Sequence, residues 1–154
     1  FGQSASGEVG ETRAIVCDIN DSMLVAGMAR ADMANLPGSL DWVCGDATAL
    51  PFPDRSADAL TIALGIRNVV DRQAALAEFR RVLKPAGRLA ILEFSQMTAP
   101  LLQAAYDAYS FAVIPRLGGI ITGDEASYRY LVESIRKFHD HQAFRAEVEA
   151  AGFG

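Results

Sequence analysis

Short apolar runs that stop abruptly at an acid or a glycine, each followed by a stretch with helical spacing, constrain this chain most. Arg13-Ala14-Ile15-Val16-Cys17 has the length of a strand buried on both faces. It runs into Asp18-Ile19-Asn20-Asp21-Ser22, whose carboxylates and hydroxyl suit a helix start. That helix is expected to reach about Asn35, with Met23, Leu24, Met28 and Met33 among its apolar positions, and Leu36-Pro37-Gly38 stops it. A second strand, near Leu40 to Cys44, breaks at Gly45-Asp46-Ala47. Leu50-Pro51-Phe52-Pro53-Asp54 must be a loop, because its prolines lack backbone donors. Asp58 to Leu64 is a third strand, and Asp71 caps a helix whose Leu76, Phe79, Val82 and Leu83 repeat at helical spacing. Lys84-Pro85-Ala86-Gly87 turns the chain into a fourth strand, Arg88 to Phe94. Strands alternating with helices through short loops mean βα units, an α/β fold with a mostly parallel sheet.

The next segment differs. Residues 97–122 carry only Asp107 and Arg116 as charges, and Pro115 and Gly118-Gly119 interrupt an otherwise apolar stretch. Periodicity fits a buried core helix and a lid over an apolar ligand equally well. Asp124 is expected to cap a helix to about Phe138, and a last helix runs from about His141 to Ala151-Gly152. With 154 residues, 51% of them hydrophobic and 21% charged, one globular domain with ample core is expected. A net charge of −5 argues against nucleic acid as a partner. Cys17 and Cys44 read as two small buried thiols of a reducing compartment, not as a disulfide framework. His139 and His141 read as a solvated helix start, the Glu and Arg residues between 78 and 81 as an exposed helix face, and no metal is expected. No run reaches the roughly 18 apolar residues of a membrane span, and no leader pattern opens the chain, so the expectation is cytoplasmic.

In open α/β sheets, ligands bind beyond the carboxyl ends of the strands. Asp18 closes the first strand with a carboxylate whose two oxygens suit both ribose hydroxyls of a nucleoside, at about 1.5–3 kcal/mol per charge-assisted bond. Asp46 closes the second and suits an adenine amino group, while Ala63-Leu64-Gly65 ends the third where backbone can approach a ligand closely. Either acid alone is as well explained by helix capping. Two acids at successive strand ends fit adenosine.

Three of these stretches resemble the post-I, II and III motifs of class I S-adenosylmethionine methyltransferases: Asp18-Ile19-Asn20, Gly45-Asp46-Ala47 with Leu50-Pro51-Phe52-Pro53, and Lys84-Pro85. Narrower stretches are Gly65-Ile66-Arg67-Asn68-Val69-Val70-Asp71, Leu92-Glu93-Phe94-Ser95, Tyr106-Asp107-Ala108-Tyr109-Ser110-Phe111 and Ser127 to Ile135. Together they are similar to the UbiE family, the C-methyltransferases of ubiquinone and menaquinone biosynthesis, from Ala14 onward. The resemblance implies a Rossmann-like methyltransferase fold. It implies S-adenosyl-L-methionine contacts at Asp18, Asp46, Ala47 and, through its backbone, Ala63. It implies a substrate-side catalytic role for Arg67 and Asn68; since a guanidinium rarely accepts a proton, Arg67 is expected to stabilise a phenolate, directly or through a water that Asn68 holds. Tyr106 and Tyr109 become candidate ring contacts, and the helical insertion 97–138 a cover for the pocket. The implied substrate is a polyprenylated benzoquinol or naphthoquinol, whose tail contributes roughly 0.8 kcal/mol per buried CH₂.

The family's opening strand and Gly-rich loop have no counterpart before Arg13, and Gly152-Phe153-Gly154 falls where such chains continue into closing strands. The expectation is an incomplete fold, a fragment at both ends, whose sheet falls into two two-stranded halves. Ala86 stands where the family has a second glycine. Rival readings are a nicotinamide-dependent Rossmann oxidoreductase, favoured less by the Gly45-Asp46-Ala47 corner, and a non-catalytic scaffold subunit. Expected associations are the inner membrane's periphery in a bacterium or the mitochondrial matrix side in a eukaryote, a quinone-biosynthesis assembly, and further copies of the chain.

Overall fold

The computed structural model describes residues 13–34, 39–96, 109 and 125–154. The chain divides into two compact units, Phe1–Pro51 and Phe52–Gly154, each described by itself.

The first unit is one βαβ element: β1 (Arg13–Asp18), α1 (Asp21–Ala34) and β2 (Ser39–Cys44). The strands pair in parallel, from Arg13 opposite Ser39 to Asp18 opposite Cys44. The helix cap is Asn20, whose Oδ1 accepts from the Ser22 amide at 3.0 Å and whose carbonyl accepts from Leu24 at 3.2 Å. Asp18 is therefore not spent as the cap. Burial corrects two expectations. Arg13, Ala14 and Ile15 are exposed, so β1 is not covered on both faces, because α1 is the one helix of its unit among the described residues. Cys17 is half-buried and Cys44 exposed, where two buried thiols were expected; both are free. On α1, Leu24 is buried while Met23, Val25 and Met28 are exposed. Gly45 is needed for space: a Cβ there would lie 2.9 Å from the Pro51 ring and 3.0 Å from Cys17 Sγ.

The second unit contains β3 (Ala57–Ala63), a 3₁₀ turn (Ile66–Asn68), α2 (Arg72–Val82), β4 (Leu83–Leu92), α3 (Glu125–Lys137) and α4 (His141–Ala150). β3 and β4 are parallel, and the described strands thus form two separate two-stranded sheets, as expected. Asp71 caps α2 through the Ala74 amide at 2.9 Å. Leu76, Phe79 and Val82 are buried on α2, the face their spacing marked out, while Leu83, expected on the same helix, is buried as the first residue of β4 because the chain turns extended there. Each such side chain contributes about 1.5–3 kcal/mol on leaving water. Ile66, Ala75, Val132 and Phe138 join them in this core.

β4 follows α2 without a loop. Leu83 pairs with Ala57, and the next pair is Arg88 with Ala59, so Lys84–Gly87 bulges out opposite Asp58. The expected turn is thus a bulge inside the strand, with Lys84 Nζ 2.8 Å from the Asp58 carboxylate. Ala86 sits there at φ 64, a left-handed conformation that suits glycine. Asp140 caps α4 through the Gln142 and Ala143 amides, both at 2.9 Å, and Gly152 leaves it at φ 89. The expected cap Asp124, Tyr106 and most of 97–124 lie outside the described residues.

Candidate functional site

The first unit carries two acids at neighbouring strand tips. Asp18 ends β1 opposite Cys44, and its carbonyl accepts from the Gly45 amide at 3.0 Å, so Asp46 follows within two residues of that pairing. Parallel pairing places both acids at the same end of the sheet. Asp18 Oδ1 accepts from the Asn20 amide at 2.8 Å, a local turn that fixes the carboxylate. Asp46 does the same with the Thr48 amide at 2.8 Å, and its backbone bridges to Ala49 around Ala47. The Thr48 amide holds the exposed Asp46 carboxyl below its ordinary range, so it is ionised at neutral pH.

The second unit holds the remaining candidates. Ala63 ends β3 beside Leu92, and the chain turns at Leu64 into the 3₁₀ segment bearing Arg67 and Asn68. Arg67 is nearly enclosed, its side chain 9% exposed, and Glu93 is more so at 3%. Arg67 Nη1 donates to Glu93 Oε1 at 2.7 Å and to the Leu64 carbonyl. The Arg67 amide donates to Glu93 Oε2 at 3.2 Å, and the Phe94 amide donates to Oε1 at 2.9 Å. Arg67 Nε donates to Ser134 Oγ at 3.2 Å, while that hydroxyl donates to the Leu131 carbonyl at 2.9 Å. Those bonds occupy Nε and Nη1, and Nη2 has no hydrogen-bond partner among the described residues. Tyr130 donates to Asn68 Oδ1 at 3.0 Å, which turns the amide nitrogen of Asn68 away as a donor.

A cavity of about 220 Å³ opens on this cluster, lined by Arg67, Arg72, Tyr130, Glu133, Ser134, Lys137 and Phe138. Tyr130, Glu133, Ser134 and Lys137 are spaced as one face of α3. Arg72 closes the far side. Its guanidinium donates to Glu147 at 3.1 Å, lies over the Phe138 ring at 5.7 Å, and meets His139 Nε2 at 3.3 Å. The hydrogen bonds from Arg72 hold the Glu147 carboxyl below its ordinary range. His139 Nδ1 is 2.6 Å from Glu147 Oε1, so this histidine is part of a packed cluster and not a solvated helix start. Arg81 likewise departs from a merely exposed face. It pairs with Glu78 and Asp54, both at 2.7 Å, and donates to the Phe52 carbonyl at 2.8 Å, fastening the proline loop to α2.

Tyr109 is exposed, and the aromatic lining among the described residues comes from Tyr130 and Phe138. The sequence reading did not assign roles to Glu93, Tyr130, Glu133 or Ser134. One signal was available: Glu93 follows the last residue of β4 directly, as a further acid at a strand tip. The α3 contacts have no local signal, since Arg67 and Ser134 are 67 positions apart.

A model of the ubiE/COQ5 methyltransferase family matches residues 3–154. The chain is 57% identical over 141 residues to the ubiquinone/menaquinone biosynthesis C-methyltransferase UbiE of Cereibacter sphaeroides, covering 92% of this chain and 56% of that protein. It is 56% identical over 143 residues to the mitochondrial 2-methoxy-6-polyprenyl-1,4-benzoquinol methylase of Danio rerio, covering 93% and 44%. The chain therefore spans about half the length of these curated relatives. Among solved structures it resembles a SAM-dependent methyltransferase from Aquifex aeolicus, with a TM-score of 0.59, 18% identity and coverage of 95% and 60%. It also resembles the [4+2]-cyclase SpnF, with a TM-score of 0.63, 19% identity and coverage of 93% and 52%. At such identities the likeness shows the fold, the Rossmann-like α/β arrangement of class I methyltransferases.

Proposed function

Since this chain belongs to the ubiE/COQ5 methyltransferase family, we propose that it carries residues for S-adenosylmethionine-dependent C-methylation of a polyprenylated benzoquinol or naphthoquinol ring. Family membership sets the nicotinamide reading aside. S-adenosylmethionine, when bound, supplies a methyl group already activated on a sulfonium. The chain's own residues then position more than they activate.

The strand tips of the first unit fit the adenosine part. Asp18 uses Oδ1 in a turn that orients its carboxylate, and it accepts from the ribose hydroxyls. Asp46, ionised and exposed, accepts from the adenine amino group, with Ala47 beside it. Ala63, in the second unit, contributes backbone and no side-chain obstruction.

On the substrate side, Arg67 is the observation that carries the reading. A buried arginine paired with a buried carboxylate is held in a fixed geometry, and leaves Nη2 to donate. Asn68, the next residue, has its amide oxygen taken by Tyr130, which leaves its amide nitrogen as a donor. Both donors stabilise negative charge developing on a ring oxygen when the ortho carbon becomes nucleophilic. Tyr106, Tyr109 and the stretch 97–138 are assigned to the ring and the apolar tail. No helix of the described residues is long and apolar enough to cross a membrane. We assign the chain to the bacterial cytoplasm or mitochondrial matrix, at a membrane surface where the tailed substrate resides.

Arg67→Lys tests this reading with charge conserved. It removes Nε and the planar fork, so kcat should fall about 100-fold with KM for the quinol changed less than about twofold. Retention of most of kcat would remove Arg67 from the reaction. A scaffold subunit would show no turnover in the wild type at all.

A further inference from the structure

Methylation at a quinol carbon needs a ring hydroxyl to lose its proton, and Arg67 meets its neighbours as a hydrogen-bond donor with no acceptor to offer. We propose that Glu133 is the general base that accepts this proton, an assignment that rests on the ring-methylation reading above.

Glu133 is the only carboxylate among the residues lining the cavity that opens on Arg67. The carboxylates nearest that cluster are otherwise committed: Glu93 to Arg67, and Glu147 to Arg72 and His139. Glu133 has no hydrogen bond or ion pair among the described residues, so its oxygens remain available as acceptors. Its helix places it correctly. Tyr130 and Ser134, on the same face of α3, hold Asn68 and Arg67 by direct hydrogen bonds. Tyr130 lies three positions before Glu133, about 5–6 Å away between Cβ atoms, and Arg67 and Glu133 line the same cavity, so one ring can reach the donors and this acceptor. The charged and titratable groups facing Glu133 across the cavity are Arg67 from the 3₁₀ turn and Arg72 from α2, with Tyr130 and Lys137 on its own helix.

The proton balance closes. The hydroxyl O–H bond breaks, its proton moves to a Glu133 oxygen, and the electron pair remains on the ring oxygen beside the Arg67 and Asn68 donors. Once the ring carbon holds the transferred methyl group, the proton on that carbon leaves to solvent and restores the aromatic ring. Glu133 returns its proton to the ring oxygen. One proton is released per turnover, and no oxidant or reductant is required.

The test measures methyl transfer from labelled S-adenosylmethionine to methoxyhydroquinone, a soluble quinol, by the 154-residue chain between about pH 6 and pH 10. Glu133→Gln should lower kcat about 100-fold or more near neutrality, with KM changed less than about threefold. The deficit should shrink to a few-fold at high pH, where the quinol ionises without help. Glu133→Asp should retain a part of the activity with a normal pH profile. A Glu133→Gln loss that is equal at every pH, or no loss at all, overturns the base assignment while leaving the methyltransferase reading standing. A wild-type chain with no turnover overturns both.

Discussion

The two units are built from the same grammar, a parallel strand pair with helices, yet they are held together differently. In the first, Leu24 is the buried apolar side chain among the described residues, and the strand-tip acids are fixed by their own neighbours two residues on. In the second, Ile66, Leu76, Phe79, Val82, Leu83, Val132 and Phe138 form a core, and the site is fixed by partners far away in sequence. A ligand group read by local turns needs little surrounding architecture. A buried, neutralised arginine needs a great deal, because its charge must be compensated inside the core.

The sharpest way to break this contrast is to truncate a large apolar side chain in each unit, a buried one in the second and an exposed one in the first. Leu76→Ala should cost about 2–5 kcal/mol in a urea melt of the second unit, whereas Met23→Ala, on an exposed face of α1, should stay within about 0.5 kcal/mol. Similar losses at both sites would mean that the first unit is packed more tightly than its exposures indicate.

Crowding at the strand tip is the first unit's own weak point. Gly45→Ala drives a methyl into the Pro51 ring and the Cys17 thiol, and should destabilise by about 1–3 kcal/mol, seen as a lower Tm.

These effects also mark what sequence could and could not foretell. Asp18, Asp46 and Asp71 declare themselves because a strand end, a turn and a cap are local patterns. The parallel pairing follows from the same run-and-break rhythm, while its division into two halves was implied by the family resemblance alone. The burial of β1 was misjudged because an apolar run tells what a strand can bury, while exposure depends on what covers it. The contact of Ser134 with Arg67 was invisible for a different reason: it exists only once α3 is set against the 3₁₀ turn, whereas Glu93 announces itself as an acid at a strand tip.

Smaller effects concern the electrostatics and the bulge of the second unit. Arg72 depresses the Glu147 carboxyl in the folded chain, so the pair's stabilisation is complete above the ordinary glutamate range. It is lost as pH falls through the depressed native value. Glu147→Gln should therefore flatten the acid limb of a plot of Tm against pH, and an unchanged limb would show that this ion pair adds nothing. Ala86→Gly relieves a left-handed alanine, worth about 1–2 kcal/mol, against about 0.4–1 kcal/mol of added unfolded-state entropy. A net gain of about 0.5 kcal/mol should appear as a small rise in Tm.

The most direct test lies in the first unit, whose two acids must recognise a nucleoside if the account is right. Isothermal titration of S-adenosylhomocysteine into the 154-residue chain should give saturable binding. Asp18→Ala should weaken that binding about 10-fold or more, the loss of one or two charge-assisted hydrogen bonds. Equal affinity in the wild type and Asp18→Ala, or no binding by the wild type, would contradict it.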